Sequence, residues 1–93
     1  MRAMIDQFLD YLSLERGLSP NTRNAYSHDL ETFASWLQAR QISSWNAVTR
    51  RHVLDFLLEQ REAGHKTTSI SRRLVAIKVF FRHLAREGLL ATN

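Results

Sequence analysis

The sequence predicts a single all-α domain, a compact bundle of four helices. Apolar residues recur at three- and four-residue intervals in four stretches, which is the period of an amphipathic helix. No stretch alternates apolar and polar residues with the period of two that marks a half-buried strand. Three glycines and one proline fall between the helical stretches. At 93 residues the chain is long enough for one hydrophobic core and too short for two, so residues 1–93 are expected to form one domain.

The first two helices are predicted from their apolar stripes and from the residues that separate them. The first helix covers about residues 2–16, and Gly17 follows where a left-handed residue closes a helix. Its stripe consists of Ile5, Phe8, Leu9 and Leu12. Ser19 then caps the second helix, Pro20 takes its first position, and the helix runs to about residue 38. The side chains expected to be buried on it are Tyr26, Leu30, Phe33 and Leu37.

A short connection and a third helix follow. Residues 40–48 contain Ile42 and Trp45, which are expected to pack over the core. Thr49 caps the third helix, and Val48 and Val53 have the spacing of a hydrophobic staple around that cap. The helix ends at Gly64. Its expected buried residues are Val53, Phe56 and Leu57.

The fourth helix is predicted from near Thr67–Ser69 to Glu87, with Gly88 closing it. Its expected core seam is Ile70, Leu74, Ile77, Phe81 and Leu84. At about 100° per residue, a different stripe faces outward. That outward stripe is Thr68, Arg72, Ala76, Val79, His83 and Arg86, with Lys78 and Arg82 on one flank and Arg73 beyond the other edge.

Positive charge is concentrated in the second half of the chain. Residues 1–48 carry a net charge of −1, whereas residues 49–93 carry +5, and no acid occurs in residues 63–86. This asymmetry favours one face that meets a polyanion. The starts of helices two and four, residues 19–23 and 66–69, combine hydroxyls and a basic side chain at a helix end that attracts anions. A solvated basic face with ordinary helix caps remains the alternative.

Catalytic and metal chemistry find no support in the residue pattern. Cysteine is absent, which excludes disulfides and thiol catalysis. The four histidines, at positions 28, 52, 65 and 83, lack the spacing of a helical metal pair. His28 and Asp29 are interpreted as surface residues of the second helix, and Tyr11 and Tyr26 as packing residues. Trp36 and Trp45 are interpreted as core or rim residues. No cofactor, metal or membrane partner is expected, and the expected location is the bacterial cytoplasm.

Several segments together resemble the Xer-type tyrosine recombinases of the phage integrase family, with the XerD branch most similar. They read FLDYL from Phe8, ERGLSPNTRNAY from Glu15, GHKTTS from Gly64 and FFRHL from Phe80. The resemblance implies the N-terminal core-binding domain, a SAM-like four-helix bundle. It would form half of a C-shaped clamp around a recombination half-site and position a separate catalytic domain for strand exchange.

The resemblance also implies which residues touch double-stranded DNA. Helices two and four would face the major groove, with most contacts going to the DNA backbone and Arg72 reaching into the groove. Arg73 stands where the family has an apolar residue. The implied DNA-binding residues are Thr22, Arg23, Lys66, Thr68, Ser69, Arg72 and Arg73.

The family's catalytic domain has no counterpart in this chain, which stops at 91–93, where an interdomain linker would begin. The chain is therefore expected to bind DNA without cutting it. Sister protomers in a synaptic tetramer are the implied protein partners, and the isolated domain is expected to be monomeric.

Two alternatives stay open. One is a helical protein-interaction domain that uses the outward stripe around 76–79, and the other is a transcriptional helix-turn-helix protein. The sequence does not separate chromosome-dimer resolution from phage or transposon integration.

Overall fold

The computed structural model describes residues 1–90, and the predicted linker start at 91–93 lies outside them. The four α-helices are α1 (Arg2–Arg16), α2 (Pro20–Ala39), α3 (Arg50–Glu62) and α4 (Thr67–Arg86). A 3₁₀ turn at Trp45–Ala47 lies between α2 and α3. No strand occurs among the described residues. The predicted all-α, four-helix class is confirmed.

Capping contacts confirm three of the predicted helix ends, the end of α1 and the starts of α2 and α3. The Ser19 hydroxyl accepts a hydrogen bond from the backbone N–H of Thr22 at 3.2 Å, with Pro20 in the first turn of α2. Thr49 and His52 cap α3 reciprocally, because each side chain accepts a backbone N–H of the other residue. Gly17 ends α1 with a φ of 59°, a left-handed conformation that glycine adopts without a Cβ penalty.

The core is built around one fully buried phenylalanine from each helix, namely Phe8, Phe33, Phe56 and Phe80. Their rings form two edge-on or tilted pairs, Phe8 with Phe80 at 5.4 Å and Phe33 with Phe56 at 5.0 Å. Trp45 joins the pairs, because its ring contacts both Phe33 and Phe80. Its indole N–H donates to the carbonyl of Met1 at 3.1 Å, so the connection and the N-terminus close the core together.

The predicted faces of α4 are partly wrong. Ala76 and His83, placed on the outward stripe, are buried, whereas the predicted seam residues Ile70, Leu74 and Phe81 are only half-buried. The reason is that α4 contacts all three of the other helices. A helix covered on several sides buries a wider arc than the single stripe that periodicity predicts.

α3 is the most peripheral helix of the bundle. Within the described chain it contacts α2 and α4 but not α1. Phe56 is its only buried residue, and the predicted core residues Val53 and Leu57 are half-buried. The burial predicted for those two residues is therefore too deep, because α3 enters the core only through a narrow stripe centred on Phe56.

Candidate nucleic-acid interface

A cleft of about 390 Å³ separates the first half of α2 from α4. Its α2 wall carries Asn21, Thr22, Ala25, Tyr26 and Asp29, and its α4 wall carries Arg72, Val75 and Ala76. Val75 is 53% exposed, which leaves an apolar side chain open beside the charged one. The cleft thus combines small, apolar and cationic groups on two adjacent helices.

Asp29 is the buried anchor of this cleft. Its side chain is 1% exposed, which corrects the interpretation of Asp29 as a surface residue. The carboxylate accepts two hydrogen bonds from Arg72, from Nε at 2.8 Å and from Nη2 at 2.9 Å. The hydrogen bond and the charge of Asp29 raise the pKa of Arg72 above its usual value. Half of the Arg72 side chain is exposed to solvent, while its guanidinium is held in place by the buried carboxylate of Asp29.

Arg73 points into the protein, and its predicted contact with DNA is corrected. Its side chain is 7% exposed, and its Nε lies 3.4 Å from Asp29 Oδ1. Its Nη1 donates to the side-chain oxygen of Gln60 on α3 and lies 3.4 Å from His65 Nδ1. A buried guanidinium is stable only with such partners. Arg73 therefore acts as a brace between α2, α3 and α4.

Thr22 and Arg23 lie at the start of α2, as the resemblance implies. Thr22 is exposed and lines the cleft. Arg23 turns back onto α1, where it donates to the Ser13 hydroxyl and to Asp10, both at 2.8 Å. Its side chain keeps 34% exposure, so the charge reaches solvent while the guanidinium holds α1 against α2.

The start of α4 differs from that of α2. Lys66 takes the N-cap position, and no side chain in the described part of the chain caps this end. The first turn contains no acid. Lys66 and Thr68 are exposed and Ser69 is half-buried. The open N–H groups, the lysine and the hydroxyls together make an end suited to an anion.

A second depression lies on the other side of α4, against α3. It is open, with a volume of about 900 Å³, and its walls are mostly apolar. The main apolar residues are Val53, Leu54, Leu57, Leu74, Ile77 and Phe81. The cationic residues on it are Arg50, Lys78 and Arg82. We call this depression the α3–α4 groove.

His83 was placed outward by the sequence but lies buried between α4 and α1. Its ring lies 5.3 Å from that of Phe8 and 5.0 Å from that of Tyr11. Nδ1 is buried without a hydrogen-bond partner among the described residues. Burial lowers the pKa of His83, an effect that Glu87 opposes and Arg86 reinforces. Charging this ring inside the bundle therefore costs free energy.

The tyrosines have packing contacts. The Tyr26 ring lies edge-on to Phe8 at 6.1 Å, and the Tyr11 hydroxyl accepts a hydrogen bond from Arg86 at 3.1 Å. Among residues 1–90, no cluster of three or more histidine, aspartate or glutamate side chains could hold a metal ion. No described helix has the length and apolar character needed to cross a membrane.

Comparison with known proteins places this amino-acid sequence in a family. Residues 5–88 match the family described as phage integrase, N-terminal SAM-like domain. The chain is 47% identical over 90 residues to tyrosine recombinase XerD of Pseudomonas putida and 42% identical over 93 residues to tyrosine recombinase XerC of Herpetosiphon aurantiacus. These alignments cover 97% and 100% of this chain but 30% of each relative.

The relatives come from both branches of the Xer recombinases, since Pseudomonas aeruginosa XerD is also 42% identical. A search of the solved structures finds no significant match. The chain spans about a third of the length of the curated relatives it matches. The family assignment rests on nearly the whole chain, which belongs to the N-terminal SAM-like domain family of phage integrases and is related to the Xer tyrosine recombinases.

Proposed function

We propose that this chain binds double-stranded DNA through the face formed by α2 and α4, and that it orients a separate catalytic domain of a site-specific recombinase. The observation that carries the proposal is the half-exposed Arg72, fixed on buried Asp29 at the mouth of the α2–α4 cleft. A fixed cation on a surface between two helices suits a ligand with regularly placed acceptors, and duplex DNA offers phosphates and base edges.

The start of α4 belongs to the same proposed DNA-binding face and would contact DNA phosphates. Thr68 lies one helical turn before Arg72, so the two side chains share an azimuth. The uncapped N–H groups and Lys66 at this end would receive a DNA phosphate, while Thr22 would approach the backbone from α2. Arg23 would add its partly exposed charge beside Thr22.

DNA cleavage is assigned to residues outside this chain. The relatives named tyrosine recombinases are about three times as long, and the tyrosines of this chain pack against the bundle. In the whole recombinase, this domain would form one arm of a clamp on a half-site and assemble with sister protomers. The parent protein would then act on chromosomal, phage or transposon DNA in a bacterial cell.

An amide chemical-shift titration with a short DNA duplex at low salt tests the proposal. We expect shifts concentrated at residues 21–29 and 66–76, around the cleft and the start of α4. Residues 50–62 of α3 provide the internal control, because they lie away from that face. Absence of shifts at millimolar duplex, or shifts confined to α3, would contradict the proposal.

A second candidate function is protein association through the α3–α4 groove. Leu54, which lines the groove, is 47% exposed, and Leu58, one turn later on α3, is 43% exposed. The stripe around 76–79 that the sequence suggested for this role is unsuitable, because Ala76 is buried. Sedimentation at rising concentration would reveal dimerisation that is insensitive to salt and abolished by Leu54→Gln. A Leu14→Gln control removes an exposed leucine from α1 instead.

A further inference from the structure

We propose that Arg72 reads a guanine in the major groove and that Asp29 is the positioning residue that fixes it for that contact. This inference deepens the proposed function and rests on it. It concerns the base identity at one position of the DNA site, which neither the fold nor the relatives specify.

The first step is the geometry of the pair. Arg72 uses Nε and Nη2, the side of its guanidinium, to bind both oxygens of Asp29, at 2.8 and 2.9 Å. This bidentate bond holds the guanidinium plane and the direction of the side chain. It leaves the end of the fork, both N–H bonds of Nη1 and the second N–H of Nη2, without a partner among the described residues.

The second step is that Asp29 is itself held in place. Its side chain is 1% exposed, and Arg73 Nε lies 3.4 Å from Oδ1 of the same carboxylate. Arg73 in turn is anchored on Gln60 of α3. Residues of α2, α3 and α4 therefore fix the orientation of the Arg72 guanidinium, although the side chain of Arg72 is itself flexible. The entropy of ordering this arginine is already lost before any DNA binds.

The third step is the match to a base. Two parallel N–H donors at the end of an arginine fit the O6 and N7 acceptors of guanine, and no other base presents two acceptors side by side in the major groove. A phosphate can also accept such a fork, but its oxygens offer acceptors in several directions, so a phosphate contact does not require a guanidinium held in one fixed plane. A guanidinium locked in one plane by a buried acid restricts the acceptors that can meet it. The geometry therefore favours base readout over a simple phosphate contact.

The experiment selects duplexes from a library of randomised sequence at low salt, using the wild-type chain and two variants. Arg72→Ala removes every side-chain donor at this position. Arg82→Ala makes the same change on the other side of α4, next to the α3–α4 groove, and serves as the matched control. We expect one guanine position to be enriched by the wild type and by Arg82→Ala, and to lose its enrichment with Arg72→Ala.

The selected duplex is then remade with 7-deazaguanine at that position, which removes the N7 acceptor. The wild type should lose affinity by at most roughly 5- to 150-fold, the range of a whole bidentate base contact, because O6 remains, whereas Arg72→Ala should lose almost nothing. Asp29→Asn should weaken the guanine preference while retaining DNA. If Asp29→Asn fails to fold, Arg72→Ala still decides, because Arg73 continues to neutralise Asp29 in that variant.

The outcomes separate this inference from the proposed function. Retention of DNA without a guanine preference that depends on Arg72 overturns the base assignment and leaves DNA binding intact. An equal loss from 7-deazaguanine in wild type and Arg72→Ala also overturns it. If the wild type retains no duplex at all, the proposed function fails and the base assignment fails with it.

Discussion

The positively charged side chains on the two sides of α4 are held in different ways. Toward α2, Arg72 is fixed by two hydrogen bonds to a buried carboxylate. Toward α3, Lys78 and Arg82 border an apolar groove, and neither makes a hydrogen bond or ion pair with another described side chain. The same helix therefore carries oriented charge on one side and loose charge on the other.

This difference determines what each kind of cation could contribute to binding on a surface that DNA reaches. A loose cation adjusts to whatever anion approaches and adds affinity that salt removes. A cation fixed by a buried partner selects the geometry of its ligand, but the protein must stabilise a buried acid in return. Stability and recognition are thus linked at Asp29, whereas they are separate at Lys78 and Arg82.

The largest effect is expected from breaking the fixed side. Asp29→Ala should lower the free energy of unfolding by about 3–5 kcal/mol, because it leaves Arg73 buried without its acid. Asp55→Ala removes an acid paired with Arg51 on the surface of α3, and it should cost less than about 1 kcal/mol. Urea unfolding followed by circular dichroism measures both values.

A rescue sharpens this test. Adding Arg73→Met to Asp29→Ala should recover a substantial part of the lost stability, because no charge is then left buried without a partner. If the double variant is as unstable as the single one, the loss comes from packing around position 29. Similar losses for Asp29→Ala and Asp55→Ala would contradict the difference between the two sides.

Helical spacing predicted the four helices and most of the core, whereas the exposure predicted for Asp29, Arg73 and His83 is wrong. Asp29 stands three residues after Tyr26 and four before Phe33, on the core-facing stripe of α2. It was interpreted as a surface residue because of its type, in spite of its position. Arg73, four residues before Ile77, presents the same conflict. A charged residue at a core-facing position is a signal for a buried pair.

The partners themselves could not be predicted from the sequence. Asp29 and Arg72 are 43 residues apart, and their contact depends on how α2 crosses α4. Periodicity describes one helix at a time, so it also missed that α4 is covered by α1 as well as by α3. By contrast, the caps at Ser19 and Thr49 were predictable because each involves residues within one helical turn.

His83, on the side of α4 that faces α1, gives a test with an effect of intermediate size. It is a buried polar residue, and its Nδ1 has no hydrogen-bond partner among the described residues. Burial lowers the pKa of His83 in the folded chain below the usual 6.5. As the pH falls through about 6.5, this histidine is therefore protonated in the unfolded chain before it is protonated in the folded chain. The free energy of unfolding should therefore fall with pH in that window, by at most about 1.4 kcal/mol per pH unit for one proton.

His83→Leu should remove this dependence between pH 5 and about pH 7. The exposed His28 supplies the control, since His28→Ala should leave the dependence in place. Urea midpoints measured across the same pH range give both results. A wild-type stability that stays constant or rises as the pH falls would contradict the assigned role of His83.

The smallest effect concerns loose charges at two places on α4. Lys66 stands at the open start of the helix, where the proposed phosphate contact is made, whereas Lys78 borders the α3–α4 groove. Lys66→Ala should make the slope of log K against log salt shallower by about 0.9, the contribution of one neutralised phosphate, and Lys78→Ala should leave it nearly unchanged. Fluorescence anisotropy with a labelled duplex over a salt series measures both slopes.

Because both changes remove the same charge from exposed lysines, a difference between the two slopes depends on the position of the lysine and not on the net charge. Equal slopes would mean that DNA binding depends only on the overall positive charge of α4. The difference between its two sides would then rest on Arg72 alone.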